Sequence, residues 1–312
     1  MYNGNPMTNN PFFSIVIPTY NRAVLIEETL SSIQSQDFKD FEIVVVDDGS
    51  KDNTAEVVGN IGKADPRVRY IYQVNAERGA ARNNGFDHAQ GKYVMFFDSD
   101  DIMPPGNLTS MAALIKENPG YLLYASKFVF IENDRIFNAP VTKLKPGVYG
   151  LDLFLEGNPV GTLFTVKRDS TQFRKFHEDR ELAIMEDWIC LVSNLKAGHQ
   201  LLLGDFIGCH LINHDGRSMS QNQLVIKRRL KATELLDKEL DFTAEEKRRL
   251  WAFTYYFCAV HEYLDFNRRR SLQYIMKAVK TNGMNRLLLV TFVKSMIGKR
   301  FINKLKRFTQ NG

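Results

Sequence analysis

The sequence contains no run of about 18 uncharged apolar residues, which excludes a polytopic membrane protein. Its first eleven residues, MYNGNPMTNNP, hold no apolar core of the kind a secretory signal needs. Cysteine is scarce: Cys190, Cys209 and Cys258 are odd in number and scattered, so they form neither a disulfide framework nor a zinc site. They read as buried thiols in a reducing compartment. No GxGxxG follows the first apolar run, and no GxxxxGK followed by Ser or Thr occurs anywhere, so dinucleotide and P-loop readings lose support. Repeats and low-complexity segments are missing too. Acidic residues stop at Asp265. Twelve of the 41 Lys and Arg lie beyond it, leaving residues 1–265 with 29 basic against 36 acidic residues. The net charge of +5 therefore hides an acidic body and a basic tail. An acidic body suits cations; a basic tail suits phosphate, lipid headgroups or nucleic acid.

What is present is a chain of 312 residues, 44% hydrophobic and 12% aromatic, able to bury a core. That length fits one large α/β domain with an appendage, or two domains. Apolar runs at 12–17, 42–46, 68–73 and 92–97 read as strands. Between them, 23–36, 53–61 and 79–90 read as helices, the second with Ser50 or Asp52 as N-cap. This rhythm predicts a parallel sheet with covering helices. Further on, 122–131 reads as strands, 174–180 as charged and exposed, and 185–195 as a helix with two acids in its first turn. Residues 223–265 read as helices of mixed charge, and 284–308 as one basic amphipathic helix.

Each of the first four strands ends in a polar cluster: Pro18-Thr19-Tyr20-Asn21-Arg22, Asp47-Asp48-Gly49-Ser50, a third near Asn75, and Asp98-Ser99-Asp100-Asp101. Asp, Asn, Gly and Pro also make ordinary turns. Four such clusters at four carboxyl ends, however, predict one shared crevice. In the last of them three carboxylates crowd together after an apolar strand, and their repulsion is relieved if a cation joins them. Oxygen ligands favour a hard divalent cation, Mn²⁺ or Mg²⁺. The bland alternative is a helix start with acids in its first turn.

Taken together, IVIPTYNR (15–22), VVVDDGS (44–50), ERGAARNNG (77–85), FFDSDD (96–101) and MEDW (185–188) resemble, in order and spacing, the family 2 inverting glycosyltransferases of the GT-A fold. The resemblance covers about residues 12–222. It implies an α/β, Rossmann-like and mostly parallel sheet with helices on both faces, plus a C-terminal helical extension. It divides the chain into a nucleotide-sugar half (1–115), an acceptor and catalytic half (116–222) and a helical region (223–312). By resemblance, Pro18 and Tyr20 flank the nucleotide base and Asp48 accepts from its edge. Gly79 and Arg82 line the nucleoside pocket, while Asp98 and Ser99 reach the nucleotide. Asp100 binds the metal and Asp101 supports its loop. Asp187 is the catalytic base, beside Glu186. Trp188 stacks on a sugar or packs the core. His214 reaches the metal and Arg217 the diphosphate.

The implied activity is metal-dependent, inverting transfer of a sugar from a nucleotide donor, a UDP-sugar, to a glycan or lipid-linked acceptor. A processive synthase is not expected, because no QxxRW-like segment follows Asp187. The basic tail, with Ile297, Phe301, Leu305 and Phe308 on one helical face, predicts docking of residues 284–312 on an anionic membrane at its cytoplasmic side, rather than nucleic-acid binding. Packing against the acidic body is the alternative for the tail. Two rival functions are a haloacid-dehalogenase-like phosphatase, since FFDSDD resembles its nucleophile motif, and a non-catalytic nucleotide-sugar-binding protein.

Overall fold

The structure, a computed structural model, describes residues 10–133, 135–212 and 221–299. The expected alternation is present as β1 (Phe13–Thr19), α1 (Ala23–Gln34), β2 (Phe41–Asp47), α2 (Thr54–Ala64), β3 (Val68–Tyr72), α3 (Glu77–His88) and β4 (Tyr93–Phe96). Every residue of β1 and β2 is buried, as continuous apolar runs of a covered parallel sheet should be. β1 lies parallel to β2 and to β4, and β2 parallel to β3. Pro18 has no N–H to extend the β1–β4 ladder, which ends at the Val16↔Phe96 pair. The chain beyond β4 is thereby released toward Asp98. α3 lies close on β1: a Cβ at Gly85 would collide with the side chain of Val16.

The chain continues through α4 (Asn107–Glu117), β5 (Leu123–Glu132), β6 (Arg135–Asn138), β7 (Gly147–Tyr149), α5 (Leu151–Leu155), β8 (Phe164–Lys167), α6 (Glu186–Lys196) and β9 (Leu201–Ile212). The nine strands form one sheet in the order β3-β2-β1-β4-β8-β5-β9-β7, with β6 paired to β5. β8 runs antiparallel between β4 and β5, and β9 runs parallel to β5. The sheet is thus parallel in its first half and mixed in its second. Residues on both sides of position 115 share it, and they fall in one compact unit of Met1–Leu151 and Asn158–Asp215.

The second unit comprises Asp152–Gly157 and Gly216–Gly312. Its helices are α7 (Asn222–Glu239), α8 (Ala244–Leu264), α9 (Arg268–Asn282) and α10 (Arg286–Ile297). Thr243 and Glu246 close a reciprocal capping box at the start of α8. Ala259, Ile275, Ala278 and Leu288 form its buried apolar centre. The single helix expected over 284–308 is corrected: Asn285 caps α10, and Gly298, at φ 88°, ends it. Ile297 is the last residue of α10, and the other residues of the expected face, Phe301, Leu305 and Phe308, lie outside the described residues. The three cysteines are buried and free.

Candidate active site

The carboxyl ends of β1, β2 and β3 are laced together by hydrogen bonds. Asp48 N–H donates to Thr19 O (2.8 Å) and Gln73 N–H to Asp47 O (2.9 Å). The Asn21 N–H donates to Ser50 Oγ, and the Lys51 N–H donates to Asn21 Oδ1. Asp52 is not the cap of α2, which begins after Asn53; its Oδ2 accepts from Ala23 N–H at the start of α1. Gly49 sits at φ +83°, and a Cβ there would press on the Asn75 backbone, so the glycine lets the β2 loop close on the β3 loop.

Within this rim the sequence-derived residues divide. Tyr20 is exposed, with its ring available at the end of β1. Pro18, by contrast, is buried in the sheet. The Asp48 carboxylate is already heavily engaged. Oδ1 accepts from Gln73 Nε2 and Ala76 N (both 2.7 Å), and Oδ2 from Asn75 Nδ2 (2.9 Å). A carboxylate has about four acceptor positions, so at most one direction is left for a base edge. At Gly79 a Cβ would strike the carbonyl of His177, so the glycine admits the 171–180 segment against α3. The sequence reads 174–180 within it as charged and exposed. Its charges are, but Phe176 is buried and exchanges hydrogen bonds with the Asn83 amide.

Arg82 departs most from its expected role. Its side chain is 1% exposed. Nη2 donates to Asp98 Oδ1 at 2.8 Å and Nη1 to Glu186 Oε1 at 2.6 Å. It is a buried link between the end of β4 and the start of α6, lying 5.5 Å from the Phe176 ring. Burial pushes the Asp98 carboxyl up, but Arg82 and Arg78 outweigh it and hold the group below the usual carboxylate range. Thr162 Oγ1 adds a donor to Asp98 Oδ2 at 3.1 Å.

Asp98, Asp100 and Asp101 place ligand oxygens within 4.8 Å of one another. Asp101 is buried: its Oδ1 accepts from Ile212 N–H and its backbone oxygen from Thr29 Oγ1. Ser99 is buried between them. Asp100 is partly exposed, 3.5 Å from Arg22 Nη2, a looser pairing than those of Asp98. An all-oxygen cluster in which Asp98 and Asp100 are partly exposed and Asp101 is buried fits a hard divalent cation. His214 and Arg217 lie outside the described residues.

Asp187 opens α6 with Glu186. Oδ1 accepts from Trp188 N–H at 2.7 Å and Oδ2 from Asn158 Nδ2 at 2.9 Å. Burial, then the charge of Glu186, pushes the Asp187 carboxyl up to about 6 against the opposing pull of Arg82. A carboxylate with that poise suits proton abstraction near neutrality. The preceding Ile184 holds φ 69°, a conformation that β-branched residues resist. Trp188 is 2% exposed, so of its two expected roles it fills the core and does not stack on a sugar. Sequence reasoning missed Arg78, Asn158 and Thr162. Turn chemistry marks the 158–162 stretch as a loop, but no spacing ties it to Asp187 or Asp98.

Comparison with known proteins agrees with this arrangement. The chain is 45% identical over 113 residues to the GalNAc(5)-diNAcBac-PP-undecaprenol beta-1,3-glucosyltransferase of Campylobacter jejuni, a stretch covering 36% of each chain. It thus spans about a third of the length of that curated relative. The fold is shared with S. aureus TarS 1-349 in complex with UDP-GlcNAc, at TM-score 0.63 and 20% identity over 91% of this chain and 88% of that one. It is also shared with mannosyltransferase PcManGT from Pyrobaculum calidifontis in complex with GDP-Man and Mn²⁺, at TM-score 0.58 and 18% identity over 94% and 83%. The family profile of Glycosyl transferase family 2 matches residues 14–173, which takes in β1 through β8 and the whole acidic cluster, and it displaces the phosphatase alternative. With the strand-end clusters, the acid triad and this match in accord, the chain belongs to glycosyl transferase family 2.

Proposed function

We propose that the chain transfers a sugar from a UDP-sugar to a hydroxyl of a glycan or lipid-linked acceptor by a single inverting displacement. The observation that carries this is the Asp187 carboxylate, held at both oxygens and pushed up to about 6, in the same polar network as Asp98. Asp187 takes the acceptor hydroxyl proton as the oxygen attacks the anomeric carbon. The bond from that carbon to the phosphate oxygen breaks on the opposite face, and the nucleoside diphosphate leaves with the electron pair. One base and one displacement invert the centre, so an α-linked donor gives a β-linked product. Asp100, together with Asp98 and Asp101, would hold Mn²⁺ or Mg²⁺. A cation bound there supplies positive charge against the leaving diphosphate. Tyr20 offers a ring to the base, and Asp48 keeps the β2 and β3 loops in shape beneath it.

The UDP donor is supported by the TarS complex with UDP-GlcNAc, and the acceptor class by the name of the Campylobacter relative. A thermal-shift panel of nucleotide-sugars, with and without Mn²⁺, tests the reading. A UDP-sugar at about 100 times its Kd adds about 2.7 kcal/mol to stability. That shift is expected to need Mn²⁺ and to vanish in Asp100→Asn. Failure of every nucleotide-sugar to stabilise the protein overturns the proposal; binding without any turnover leaves the non-catalytic reading.

The acceptor class also bears on α10, which is patterned inside out. Leu288, Thr291 and Ser295 are its buried residues, while Leu287, Leu289, Val290, Val293, Met296 and Ile297 are exposed. Two buried hydroxyls and an apolar exterior suit contact with a medium less polar than water. No helix among the described residues is long and apolar enough to cross a membrane. Arg286, Lys294 and Lys299 stand among these apolar groups, and the sequence holds no acid beyond Asp265. Charge complementarity selects an anionic bilayer, approached from its cytoplasmic face. The full chain is expected to sediment with phosphatidylglycerol vesicles, less so as salt rises, and Val293→Asp to remain in the supernatant. Equal sedimentation with neutral vesicles at every salt concentration, or self-association through α10 in place of lipid binding, contradicts this docking.

A further inference from the structure

The turn before β8 connects the two carboxylates on which the reaction depends. Asn158 closes it. Its Nδ2 donates to Gly161 O and to Asp187 Oδ2, both at 2.9 Å, and its Oδ1 accepts from Val160 N–H at 3.1 Å. Two acceptors face the nitrogen and one donor faces the oxygen, so the amide has one orientation. The flipped amide would set an oxygen against the Asp187 carboxylate. Gly161 follows at φ +61°. Next to it, Thr162 donates to Asp98 Oδ2 at 3.1 Å. Five residues thus grip Asp187 at one end and Asp98 at the other.

We propose that Asn158 is a positioning residue for the base: it fixes the plane of the Asp187 carboxylate, and the turn it closes ties that base to Asp98 through Thr162. The inference rests on the reading of Asp187 as the base. Among the described residues, the other hydrogen bond to that carboxylate comes from the neighbouring Trp188 N–H, a contact within α6 itself. Asn158 is the side chain that refers the carboxylate to a different part of the sheet. The charged and titratable groups facing Asp187 are Glu186 and Cys190 on α6, Arg82 on α3 and Asp98 after β4.

The test separates positioning from folding. In Asn158→Ser the hydroxyl still accepts from Val160 N–H and keeps the turn, but is too short to reach Asp187. Hydrolysis of the UDP-sugar found in the thermal panel, water replacing the acceptor, is followed against pH. Asn158→Ser is expected to lose roughly 10–100-fold in kcat, with donor KM within about twofold and an unchanged melting temperature. Loss of an N–H donor disfavours the charged carboxylate, so the acidic limb of the pH profile moves to higher pH. Asn158→Ala is expected to show the same kinetic change. Thr162→Val is expected to raise donor KM more than it lowers kcat. Parent-like kcat and pH limb in both Asn158 variants overturn the proposal, as does a loss of rate that tracks melting temperature with the limb unmoved. If Asp187→Asn is inactive while Asn158→Ser behaves as the parent, the positioning role alone falls. If Asp187→Asn still turns over normally, the base assignment falls and this inference with it.

Discussion

Asp187→Asn is expected to lower turnover by about 10²–10⁴-fold, the usual contribution of a general base. Donor affinity should stay close to that of the parent, because Asp187 touches Asn158 and Trp188 and is no part of the acid cluster at the end of β4. The amide keeps nearly the same shape but cannot take a proton. The parent enzyme carries the complementary signature. Its base is active when ionised, and burial with Glu186 pushes that carboxyl up to about 6. Activity is therefore expected to rise with pH through about 6 and then level off. Rates measured from pH 4.5 to 8.5 check this, and a limb near 4 would show an Asp187 carboxyl insensitive to its surroundings. Isothermal titration with the donor separates the lost step from lost binding. Unchanged turnover in the variant would remove Asp187 from the mechanism.

Much of this site was legible because its signals are local. The strands β1 to β4 announce themselves as short apolar runs, and each polar cluster follows its strand directly. The acid cluster needs no partner from elsewhere to be recognised. What the sequence concealed is long-range pairing. Arg82 reads as a residue of the nucleoside pocket until Asp98 and Glu186, 16 and 104 residues away, enclose it. Asn158 and Asp187 are 29 residues apart in stretches with no shared pattern. Other misses were readable in principle. Leu108, Met111, Ala112 and Ile115 carry the helical spacing of α4, and Gly298 is an ordinary helix stop. The saturated Asp48 carboxylate is different again. An acid after a strand suits a ligand and a loop-closing turn equally well, and composition alone does not choose.

The burial of Arg82 leads to a second large effect. Removing one partner of a buried ion pair leaves an uncompensated charge, which costs about 3–5 kcal/mol. In Arg82→Met the stem is replaced by apolar atoms of similar reach, and Glu186, 2% exposed, loses its 2.6 Å partner. Arg78, at 3.9 Å, remains as a looser partner of Glu186. At roughly 2–4 °C per kcal/mol for a unit of this size, the melting temperature should fall by roughly 6–20 °C. Arg82→Met with Glu186→Gln removes the orphaned charge and should recover much of the loss, so a double-mutant cycle gives a large coupling energy. Additive losses would mean that Glu186 finds compensation elsewhere. The pull of Arg82 on Asp187 is lost as well. Any turnover left in the single variant should thus show its acidic limb above that of the parent, making one arginine accountable for both the stability of the fold and the poise of the base.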